Sequence, residues 1–413
     1  MKFGLIGERL PHSFSAEIHH KIAGYSYELC EISPEDLDAF MTARDFQGIN
    51  VTIPYKEKVI PYLSYISDDA SRIGAVNTVV NHAGKLYGYN TDILGMRAMI
   101  ERAGIALKGR KVLILGTGGT GKTAHTLAEK EGAREIWFVS RSEGEGRVSY
   151  EEAYDLHADA EVIVNTTPVG MFPDIGAQPI GLEPFARLEG VVDVIYNPLK
   201  TRLVLDAEAR GVRACAGLYM LVSQAVAASE YFTGSHVRKY ICERVYNEIL
   251  AEKSSLVLTG MPSSGKTSVG RRLAEKMNRE FVDIDAYIEE KSGQSPARII
   301  KEKGEAAFRA LEKDAVRKLS PRGGLVIACG GGTALDKENV TMLRQNGRIV
   351  FLDRALENLL CTPDRPLSNN REKLQKLYEE RRPIYLASAD LTVDANGSVE
   401  EVAERIEKEW IKV

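Results

Sequence analysis

Two stretches of the chain have the spacing of a phosphate-binding loop, G-x-x-x-x-G-K-S/T. They are residues 116–123 (GTGGTGKT) and 260–267 (GMPSSGKT). Each follows an apolar run that predicts a buried strand and precedes a segment that predicts a helix. Glycines let backbone N–H groups approach phosphate oxygens at a helix N-terminus, while the lysine neutralises phosphate charge. The first stretch also has the G-x-G-x-x-G spacing of dinucleotide-binding folds, so the two loops predict hydride chemistry, phosphoryl transfer, or one of each.

The second loop has the residue types of an ATP site. Lys266 would neutralise charge on the β- and γ-phosphates, and the hydroxyl of Thr267 would ligate Mg²⁺. The alternative interpretation is a glycine- and serine-rich turn in front of an ordinary surface helix. The predicted ATP-binding residues are Ser263, Ser264, Gly265, Lys266, Thr267 and Ser268.

Three segments after this loop could bind an acceptor substrate. Asp283 and Asp285 place two carboxylates on one face of a predicted strand end, although two solvated aspartates in a turn would have the same pattern. Arg309 and Glu312 are three residues apart and share a helix face, and their spacing alone favours a surface ion pair. Three glycines, residues 330–332, follow a predicted strand and would let a ligand approach the backbone closely.

The sequence context distinguishes the first loop from the second. A kinase loop requires acidic metal partners downstream, whereas the next predicted strand ends in Ser140, Arg141 and Ser142. At this point of a dinucleotide fold an acid binds the ribose of NAD, and an arginine suits the 2′-phosphate of NADP. The context therefore favours NADP over a second kinase loop, and Lys122 is then incidental. The predicted NADP-binding residues of this region are Gly116, Gly118, Gly119, Thr120, Ser140, Arg141 and Ser142.

Length, charge and cysteine usage limit the possible classes of function. The chain has 413 residues, enough for two or three domains, and its net charge of -4 offers no basic field for nucleic acid. The five cysteines are scattered without a C-x-x-C pair, which argues against a disulfide framework or a zinc site and fits a cytoplasmic protein. No signal-peptide pattern and no apolar run of about 18 residues is present, so we expect no contact with a membrane.

Short apolar runs alternate with helix-like segments throughout, which predicts an α/β fold with parallel sheets. Residues 1–92 together with 217–248 are predicted to form an α/β substrate-binding domain, and residues 93–216 a Rossmann-type NADP-binding domain. A polar linker, residues 249–254, then precedes a P-loop kinase α/β domain at residues 255–413. Predicted strands lie near residues 48–52, 111–115, 136–139, 162–164, 191–195, 256–259, 325–328 and 348–352.

Residues 255–413 resemble shikimate kinase over their whole length. The shared motifs are the phosphate loop, DID at 283–285, GEAAFRALE at 304–312, GGG at 330–332, RPL at 365–367 and ERRPIY at 380–385. The resemblance implies that Asp285 holds the ring hydroxyls and assists their deprotonation. It implies that Asp283 holds through water the Mg²⁺ that Thr267 ligates. It also implies a catalytic role for Lys266 on the phosphates.

The same resemblance assigns the remaining kinase residues. Arg309, oriented by Glu312, and Arg381 would hold the substrate carboxylate, and Arg365 would stabilise the transferring charge from a lid. Residues 359–364 lack the arginine that the family often places against adenine. The residues implied to bind the acceptor are Asp285, Arg309, Gly331, Gly332 and Arg381.

Residues 1 to about 240 resemble shikimate dehydrogenase. The shared motifs are PHSFS at 11–15, NVTIPYK at 50–56, GAVNT at 74–78, NTD at 90–92, NTTPVGM at 165–171, DVIYNP at 193–198 and GLYMLVSQA at 217–225. The resemblance implies that Lys56 and Asp92 are the catalytic pair, whereas Lys56 considered alone would be a solvated lysine after a proline turn. A lysine held by an aspartate can give a proton to the alkoxide that hydride delivery creates.

Other residues of these motifs would bind the ligands. The resemblance implies that Ser13 and Ser15 hold the substrate carboxylate and that Thr166 and Gly217 contact NADP. Glu143 and Glu145 place two acids beside Arg141, and the short segment between Ser142 and Asn165 predicts an abbreviated crossover helix. The residues implied to bind the substrate ring are Thr52, Asn77, Tyr196 and Gln224.

The whole chain is thus similar to a fusion of shikimate dehydrogenase and shikimate kinase. Such a protein would reduce 3-dehydroshikimate with NADPH and then phosphorylate shikimate with MgATP, as a monomer or a homodimer. One alternative is a dehydrogenase for quinate or another polyol, joined to another small-molecule kinase. A second is a non-enzymatic regulator that resembles a degenerate fusion, although Lys56, Asp92, Lys266, Asp285 and Arg309 are all present.

Overall fold

The computed structural model describes residues 2–10, 13–142, 144–361 and 370–410. Contacts between residues divide the chain into two units. The first consists of Met1–Met171 and Ala177–Ile249, and the second of Leu250–Val413 together with Phe172–Gly176. The division falls inside a helix, so residues 249–253 of the predicted linker are helical. Of the residues named from the sequence, Glu143 and Arg365 lie outside the described residues, as does His12 of the PHSFS motif.

The first unit begins with a mixed sheet that forms the predicted substrate-binding domain. Its strands are β1 (Phe3–Gly7), β2 (Glu28–Glu31), β3 (Gly48–Val51), β4 (Tyr65–Ile66), β5 (Thr78–His82) and β6 (Lys85–Tyr89). They pair in the order β2-β1-β3-β5-β6-β4, in which β2, β1 and β3 are parallel and β5 is antiparallel to β3 and β6. The accompanying helices are α1 (Ser15–Ala23), α2 (Leu37–Ala43), α3 (Asp68–Ile73) and α4 (Asp92–Arg102).

The second sheet of this unit is entirely parallel. Its strands are β7 (Lys111–Leu115), β8 (Glu135–Val139), β9 (Arg147–Val148), β10 (Val162–Asn165), β11 (Gly190–Asp193) and β12 (Arg213–Cys215), and its helices are α5 (Gly119–Lys130), α6 (Tyr150–Leu156) and α7 (Arg202–Ala209). All five residues of β7, KVLIL, are buried, as a strand covered on both faces requires. The order β12-β11-β10-β7-β8-β9 is the doubly wound order of dinucleotide-binding domains.

Two helices then bring the chain back to the substrate-binding domain. Helix α8 (Leu218–Thr233) packs against α1 and α4, and α9 (Lys239–Lys253) ends the unit. A Cβ atom at Gly95 of α4 would lie 2.6 Å from the carbonyl oxygen of Met220, so only glycine permits this approach of the two helices. The close packing fixes Gln224 of α8 beside the N-terminal half of α4.

The second unit is a parallel sheet covered by helices on both faces. Its strands are β13 (Ser255–Thr259), β14 (Phe281–Asp283), β15 (Val326–Ala328), β16 (Gly347–Asp353) and β17 (Leu391–Asp394), in the order β14-β15-β13-β16-β17. Strand β13, which leads into the second loop, is therefore the middle strand. The helices are α10 (Lys266–Met277), α11 (Ile284–Ser292), α12 (Pro296–Lys303), α13 (Glu305–Leu319), α14 (Lys337–Asn346), α15 (Arg371–Ser388) and α16 (Val399–Trp410).

The predicted α/β class is confirmed, and every predicted strand falls on an observed one. The helix between Ser142 and Asn165 is short, since α6 has seven residues. One detail differs from the prediction: Asp285 lies in the first turn of α11 and not at a strand end, because Asp283 caps that helix and accepts N–H groups from Asp285 and Ala286. Within the described part of the chain, no helix has the length and apolar character to cross a membrane.

Candidate active sites

Lys56 and Asp92 form an ion pair in the first unit. Lys56 follows β3 after a turn, and Asp92 is the first residue of α4. The ammonium nitrogen of Lys56 lies 2.6 Å from Oδ2 of Asp92, and the two side chains are 20% and 12% exposed. The backbone also supports the lysine, because Val76 donates its N–H to the Lys56 carbonyl oxygen at 2.8 Å. The pair is thus shielded from water but retains access to a ligand.

Asn77 holds the other oxygen of the same carboxylate. Its Nδ2 donates to Oδ1 of Asp92 at 2.8 Å, and its Oδ1 accepts the backbone N–H of Thr91 at 2.7 Å. The hydroxyl of Thr91 lies 3.4 Å from Oε1 of Gln224. The structure therefore brings four predicted site residues, Lys56, Asn77, Asp92 and Gln224, into one cluster, in which Thr91 has a part that the sequence did not reveal.

Thr52 lies at the end of β3, next to the end of the parallel strand β1. A Cβ atom at Gly7 would lie 2.7 Å from Cγ2 of Thr52, so glycine at this point leaves room for the threonine side chain. The backbone N–H of Thr52 bonds to the carbonyl oxygen of Ile6 at 2.9 Å. Thr52 is thereby fixed four residues before Lys56, on the same strand-to-turn segment.

The predicted carboxylate-binding residues form a second group at the start of α1. The backbone N–H of Ser15 bonds to Oγ of Ser13 at 3.2 Å, and Ser15 is buried. The ring of Phe14, between the two serines, lies 5.4 Å from the ring of Tyr196. Burial raises the pKa of Tyr196, so its hydroxyl keeps its proton and can donate a hydrogen bond.

Asp193 positions the loop that carries Tyr196, a role that the sequence did not reveal. It is fully buried at the end of β11, and it accepts hydrogen bonds from Thr201, Asn165 and the backbone of Ile195 at 2.6, 3.1 and 3.0 Å. Burial raises its pKa to about 6. The sequence signal that could have revealed this role is a carboxylate directly after the apolar run of a predicted strand.

The first glycine-rich loop is a tight turn. Gly116 has φ of +97°, and a Cβ atom at Gly121 would lie 2.3 Å from the Gly116 carbonyl oxygen, so both positions require glycine. Gly118 and Gly119 have open space where a Cβ atom would lie, as close approach of a dinucleotide requires. Thr166 closes the turn, because its hydroxyl donates to the Leu115 carbonyl oxygen at 2.7 Å.

The end of β8 carries the residues predicted to select the cofactor. The hydroxyls of Ser140 and Ser142 lie 3.0 Å apart, and Arg147 donates to the Ser142 hydroxyl at 3.3 Å. Arg141 is exposed between the two serines. Gly217 follows the last strand of the same sheet. A Cβ atom there would lie 2.0 Å from the carbonyl oxygen of Val194, so this glycine is required for packing against the segment after β11.

Lys122 and Lys266 hold equivalent positions in the two sequence strings but not in the structure. Helix α5 begins at Gly119, so Thr120 and Lys122 lie within its first turn, and Lys122 is paired with Glu57 at 2.7 Å. Helix α10 begins only at Lys266, whose ammonium group turns back and donates to the carbonyl oxygens of Gly260 and Met261 at 2.9 Å each. Only the second stretch has a loop long enough to surround a phosphate.

The second loop has the backbone of a phosphate loop. Gly260, Ser263 and Gly265 have positive φ angles of 147°, 64° and 99°. Ser263 donates its hydroxyl to the carbonyl oxygen of Leu360 at 3.0 Å. Oγ of Ser264 is buried, and no residue in the described part of the chain forms a hydrogen bond with it. The hydroxyl of Thr267 donates to Oδ2 of Asp283 at 2.7 Å, which brings the predicted metal ligands together.

Asp285 is a buried carboxylate of this unit whose pKa is raised. Burial, and then the charges of Asp283 and Glu312, raise its pKa to about 6. Its Oδ1 is buried and has no hydrogen-bond partner among the described residues. A Cβ atom at Gly330 would lie 2.7 Å from Oδ1 of Asp285 and 2.8 Å from Oε1 of Glu312. The first of the three glycines therefore makes room for two carboxylates.

Glu312 is buried, which overturns the surface ion pair that its spacing from Arg309 alone favours. It is 1% exposed, and it accepts hydrogen bonds from Arg309 at 2.8 Å and from the Thr333 hydroxyl at 2.6 Å. A Cβ atom at Gly332 would lie 2.0 Å from Nη1 of Arg309, so the guanidinium group rests on this glycine. The sequence could not show that the segment after β15 covers the pair.

Arg381 completes the kinase cluster. It donates from Nη1 to the carbonyl oxygen of Gly331 at 2.9 Å, and the Tyr385 hydroxyl donates to the same oxygen. A Cβ atom at Gly331 would lie 3.4 Å from the ring of Pro262, which belongs to the phosphate loop. The structure thus joins Arg381, the three glycines and the phosphate loop in one site, while Arg365 lies outside the described residues.

These two sites define a class of protein: a nucleotide-dependent dehydrogenase with a paired lysine and aspartate, joined to a P-loop kinase. Family comparisons agree. The family described as "Shikimate dehydrogenase substrate binding domain" matches residues 5–79, and "Shikimate kinase" matches residues 262–410.

Known proteins extend the likeness over the whole first unit. The Shikimate dehydrogenase (NADP(+)) of Clostridium beijerinckii is 35% identical over 263 residues, which are 59% of this chain and 96% of that protein. Its counterpart in Halothermothrix orenii is 40% identical over 260 residues, 56% of this chain and 90% of that protein. The crystal structure of shikimate 5-dehydrogenase from Thermus thermophilus, in complex with NADP(H) and shikimate, has a TM-score of 0.54 and 32% identity, covering 60% of this chain and 99% of that one.

The chain therefore belongs to the shikimate dehydrogenase family, and it carries a shikimate kinase domain after the dehydrogenase. The predicted fusion is confirmed. The roles of individual residues remain predictions.

Proposed function

We propose that this chain reduces 3-dehydroshikimate to shikimate with NADPH in the first unit and phosphorylates shikimate with ATP in the second. The observation that carries the proposal is that both catalytic groups are assembled in one chain. The Lys56–Asp92 pair has a separation of 2.6 Å, and Asp285 faces Gly330 beside Glu312 and Arg309. A degenerate regulator would have no reason to keep two buried, charged sites, each of which costs folding stability.

The residues of the first site suit reduction of a ring ketone. NADPH, when bound, supplies the hydride, and the open space beside Gly118 and Gly119 fits its pyrophosphate. The ammonium group of Lys56 donates the proton that the developing alkoxide requires, and Asp92 holds that ammonium group in place. The hydroxyls and amides of Thr52, Asn77 and Gln224 hold the ring hydroxyls.

The group at the start of α1 binds the other end of the substrate. Ser13, Ser15 and Tyr196 offer three hydroxyl donors, and a carboxylate accepts such bonds strongly because it is charged. Selection of NADPH comes from Arg141, which stands where an NAD enzyme has an acid. Ser140 and Ser142 add hydroxyl donors on either side of that arginine.

The residues of the second site suit phosphoryl transfer to a ring hydroxyl. Lys266 leaves the carbonyl oxygens of Gly260 and Met261 for the phosphates of ATP. Ser264 and Gly265 belong to the turn, and Ser268 lies in the first turn of α10. Asp285 accepts the proton of the attacking hydroxyl, since its pKa of about 6 places it near neutrality. Arg309 and Arg381 offer charged donors to the substrate carboxylate.

The oxygen ligands of this site fit Mg²⁺. A hydroxyl and a carboxylate oxygen, from Thr267 and Asp283, lie 2.7 Å apart, and both are the hard ligands that Mg²⁺ prefers. Among the described residues no group of three or more His, Cys, Asp and Glu side chains could hold a metal by itself. Thr267 and Asp283 would therefore share the ion with phosphate oxygens and water, as expected for Mg²⁺ brought by a nucleotide.

Substrate panels test the proposal. The intact protein is assayed for NADPH oxidation with 3-dehydroshikimate and with 3-dehydroquinate, and for ADP release with shikimate and with quinate. We expect turnover of the shikimate-type substrates in both assays, with the quinate-type substrates slower. A preference for the quinate-type substrates would support the alternative polyol enzyme, and no turnover in either assay would support a regulator.

A further inference from the structure

A continuous buried hydrogen-bond network lies behind the Lys56–Asp92 pair. The hydroxyl of Tyr27 donates to Oδ1 of Asn50 at 2.7 Å, and Nδ2 of Asn50 donates to the hydroxyl of Thr78 at 3.0 Å. The Thr78 hydroxyl also lies 3.1 Å from Oδ1 of Asn77 and 3.1 Å from the hydroxyl of Thr91. Asn77 in turn holds Asp92. Residues from before β2, on β3, on β5 and before α4 thus form one chain of contacts.

Two backbone groups fix the direction of these hydrogen bonds. Because the Thr91 backbone N–H can only donate, the atom of Asn77 that it contacts at 2.7 Å must be the oxygen, so the Asn77 NH₂ group faces Asp92. Because the Asn77 carbonyl can only accept, the atom of Asn50 that lies 3.2 Å from it must be the nitrogen. Asn50 therefore donates to Thr78, and the single proton of Thr78 is left for Asn77 or Thr91.

Every member of the network is more than nine-tenths buried. Thr78 and Thr91 are 0% exposed, and Asn50 and Asn77 are 5% and 3% exposed. Burial raises the pKa of Tyr27 well above its usual value, so the hydroxyl remains a donor at any working pH. The ring of His19 stacks on Tyr27 with centroids 3.9 Å apart, and burial lowers the pKa of His19 to about 3, so His19 brings no charge to the network near neutral pH.

We propose that Thr78, supported by Asn50 and Tyr27, is a positioning residue of the dehydrogenase. It fixes the amide of Asn77, and through that amide it holds Asp92 and Lys56 in the geometry for proton transfer. This inference rests on the proposed roles of Lys56 and Asp92. A network that served only stability would contribute about 0.5–1.5 kcal/mol per hydrogen bond and would not touch the chemical step.

The network predicts a specific kinetic defect. Without the Thr78 hydroxyl, the Asn77 amide keeps its bonds to the Thr91 backbone, the Thr91 hydroxyl and Asp92, but Oδ1 of Asn77 and the Thr91 hydroxyl each lose a partner. The amide then holds Asp92 and Lys56 less firmly. A misplacement of about 1 Å at a reacting group can cost on the order of a hundredfold in rate. NADPH binding should be unaffected, because Thr78 belongs to the substrate-binding domain and the glycine-rich turn to the other sheet.

The test compares Thr78→Val, which removes the hydroxyl at nearly constant shape, with Thr78→Ser, which keeps it. Tyr27→Phe is a second variant at the far end of the network. Tyr154→Phe is the matched control, because its hydroxyl accepts a backbone hydrogen bond from Gly181 outside the network. Steady-state kinetics are measured with NADPH and with NADPH deuterated at C4, and the thermal unfolding transition that NADP⁺ shifts reports on folding of the first unit.

For Thr78→Val we expect kcat to fall about tenfold to a hundredfold. The KM for NADPH should stay within about twofold, and the deuterium isotope effect should rise as chemistry becomes rate-limiting. Thr78→Ser should restore most of kcat, Tyr27→Phe should show a smaller defect of the same kind, and Tyr154→Phe should behave as wild type.

Normal kcat and isotope effect in both Thr78→Val and Tyr27→Phe would overturn the inference and leave the proposed function intact. An equal loss in Thr78→Val and Thr78→Ser would also overturn it, since the hydroxyl that Thr78→Ser keeps would then not be enough to support the rate. An inactive wild type would remove the proposed function and the inference together. If Thr78→Val does not fold, Tyr27→Phe alone decides, because a normal kcat there contradicts the network.

Discussion

Asn77 Nδ2 lies 2.8 Å from Oδ1 of Asp92, on the carboxylate whose other oxygen binds Lys56. Each carboxylate oxygen of Asp92 is therefore bound by a different side chain. A carboxylate with both oxygens engaged cannot swing away when the substrate displaces part of the ion pair, so Lys56 stays where the proton is needed. The relationship joins residues 15 positions apart across a strand pair and a helix start.

Replacement of Lys56 by alanine should remove the reductase and spare the kinase. Loss of general acid assistance costs about 10²–10⁴ in rate, and Lys56 belongs only to the first site. Steady-state NADPH oxidation and ADP release on the same preparation check both parts. Lys58→Ala, which changes an exposed lysine two residues further on, is the control. Near-normal reduction by Lys56→Ala would refute the assignment.

Replacement of Arg141 by alanine should weaken the binding of NADPH more than the binding of NADH. A hydrogen bond to a charged group contributes about 1.5–3 kcal/mol, so kcat/KM for NADPH should fall about tenfold to a hundredfold, with little change for NADH. Arg187→Ala, an exposed arginine of the same domain, is the control. Equal kcat/KM for the two cofactors in the wild type would contradict the role of Arg141. It would indicate that Glu143 and Glu145 offset the charge of the arginine.

Lys266→Ala and Asp285→Asn should both abolish phosphorylation, by different routes. Lys266 acts on the phosphates, so its loss should weaken MgATP binding in calorimetry. Asp285 acts on the acceptor, so Asp285→Asn should bind MgATP normally and fail to use shikimate. Lys291→Ala is an exposed control. Normal turnover by Asp285→Asn would mean that the two aspartates are only a helix cap and its neighbour.

The same Asp285→Asn substitution should stabilise the unliganded kinase unit above pH 6. Burial raises the folded pKa of Asp285 from 3.8 to about 6. The free energy of unfolding therefore falls as the pH rises from about 4 to above 6 and the buried carboxyl group ionises. At pH 8 the variant should gain on the order of 2–3 kcal/mol, seen as a higher Tm of the transition that ADP shifts. The gain should shrink towards pH 4. An equal gain at both pH values would indicate a cause other than the charge.

The sequence predicted the strands well because their apolar runs are buried on both faces. The run KVLIL at 111–115 can satisfy its backbone and bury its side chains only inside a parallel sheet. The two glycine-rich loops were harder, since identical spacing permits both structures. What separates them is the residue at which the helix begins, Gly119 or Lys266, and this depends on backbone angles that the pattern does not specify.

The supporting residues of the sites could not be predicted, because their contacts join distant parts of the chain. Glu312 is buried only because Thr333 and Gly330 come over it from beyond β15. Thr78 and Asn50 meet across strands 28 residues apart. Single-sequence patterns contain local periodicity but not these pairings. The family motifs therefore indicated candidate catalytic residues but not the residues that hold them.

A coupled assay tests the account most directly. The intact protein is given 3-dehydroshikimate, NADPH, ATP and Mg²⁺, and NADPH oxidation and ADP release are followed together. The account predicts that ADP release begins only after NADPH is oxidised, stops when NADPH is omitted, and reaches the same amount as the NADPH consumed. NADPH oxidation without ADP release, or ADP release that does not depend on NADPH, would contradict a chain that makes shikimate at one site and phosphorylates it at the other.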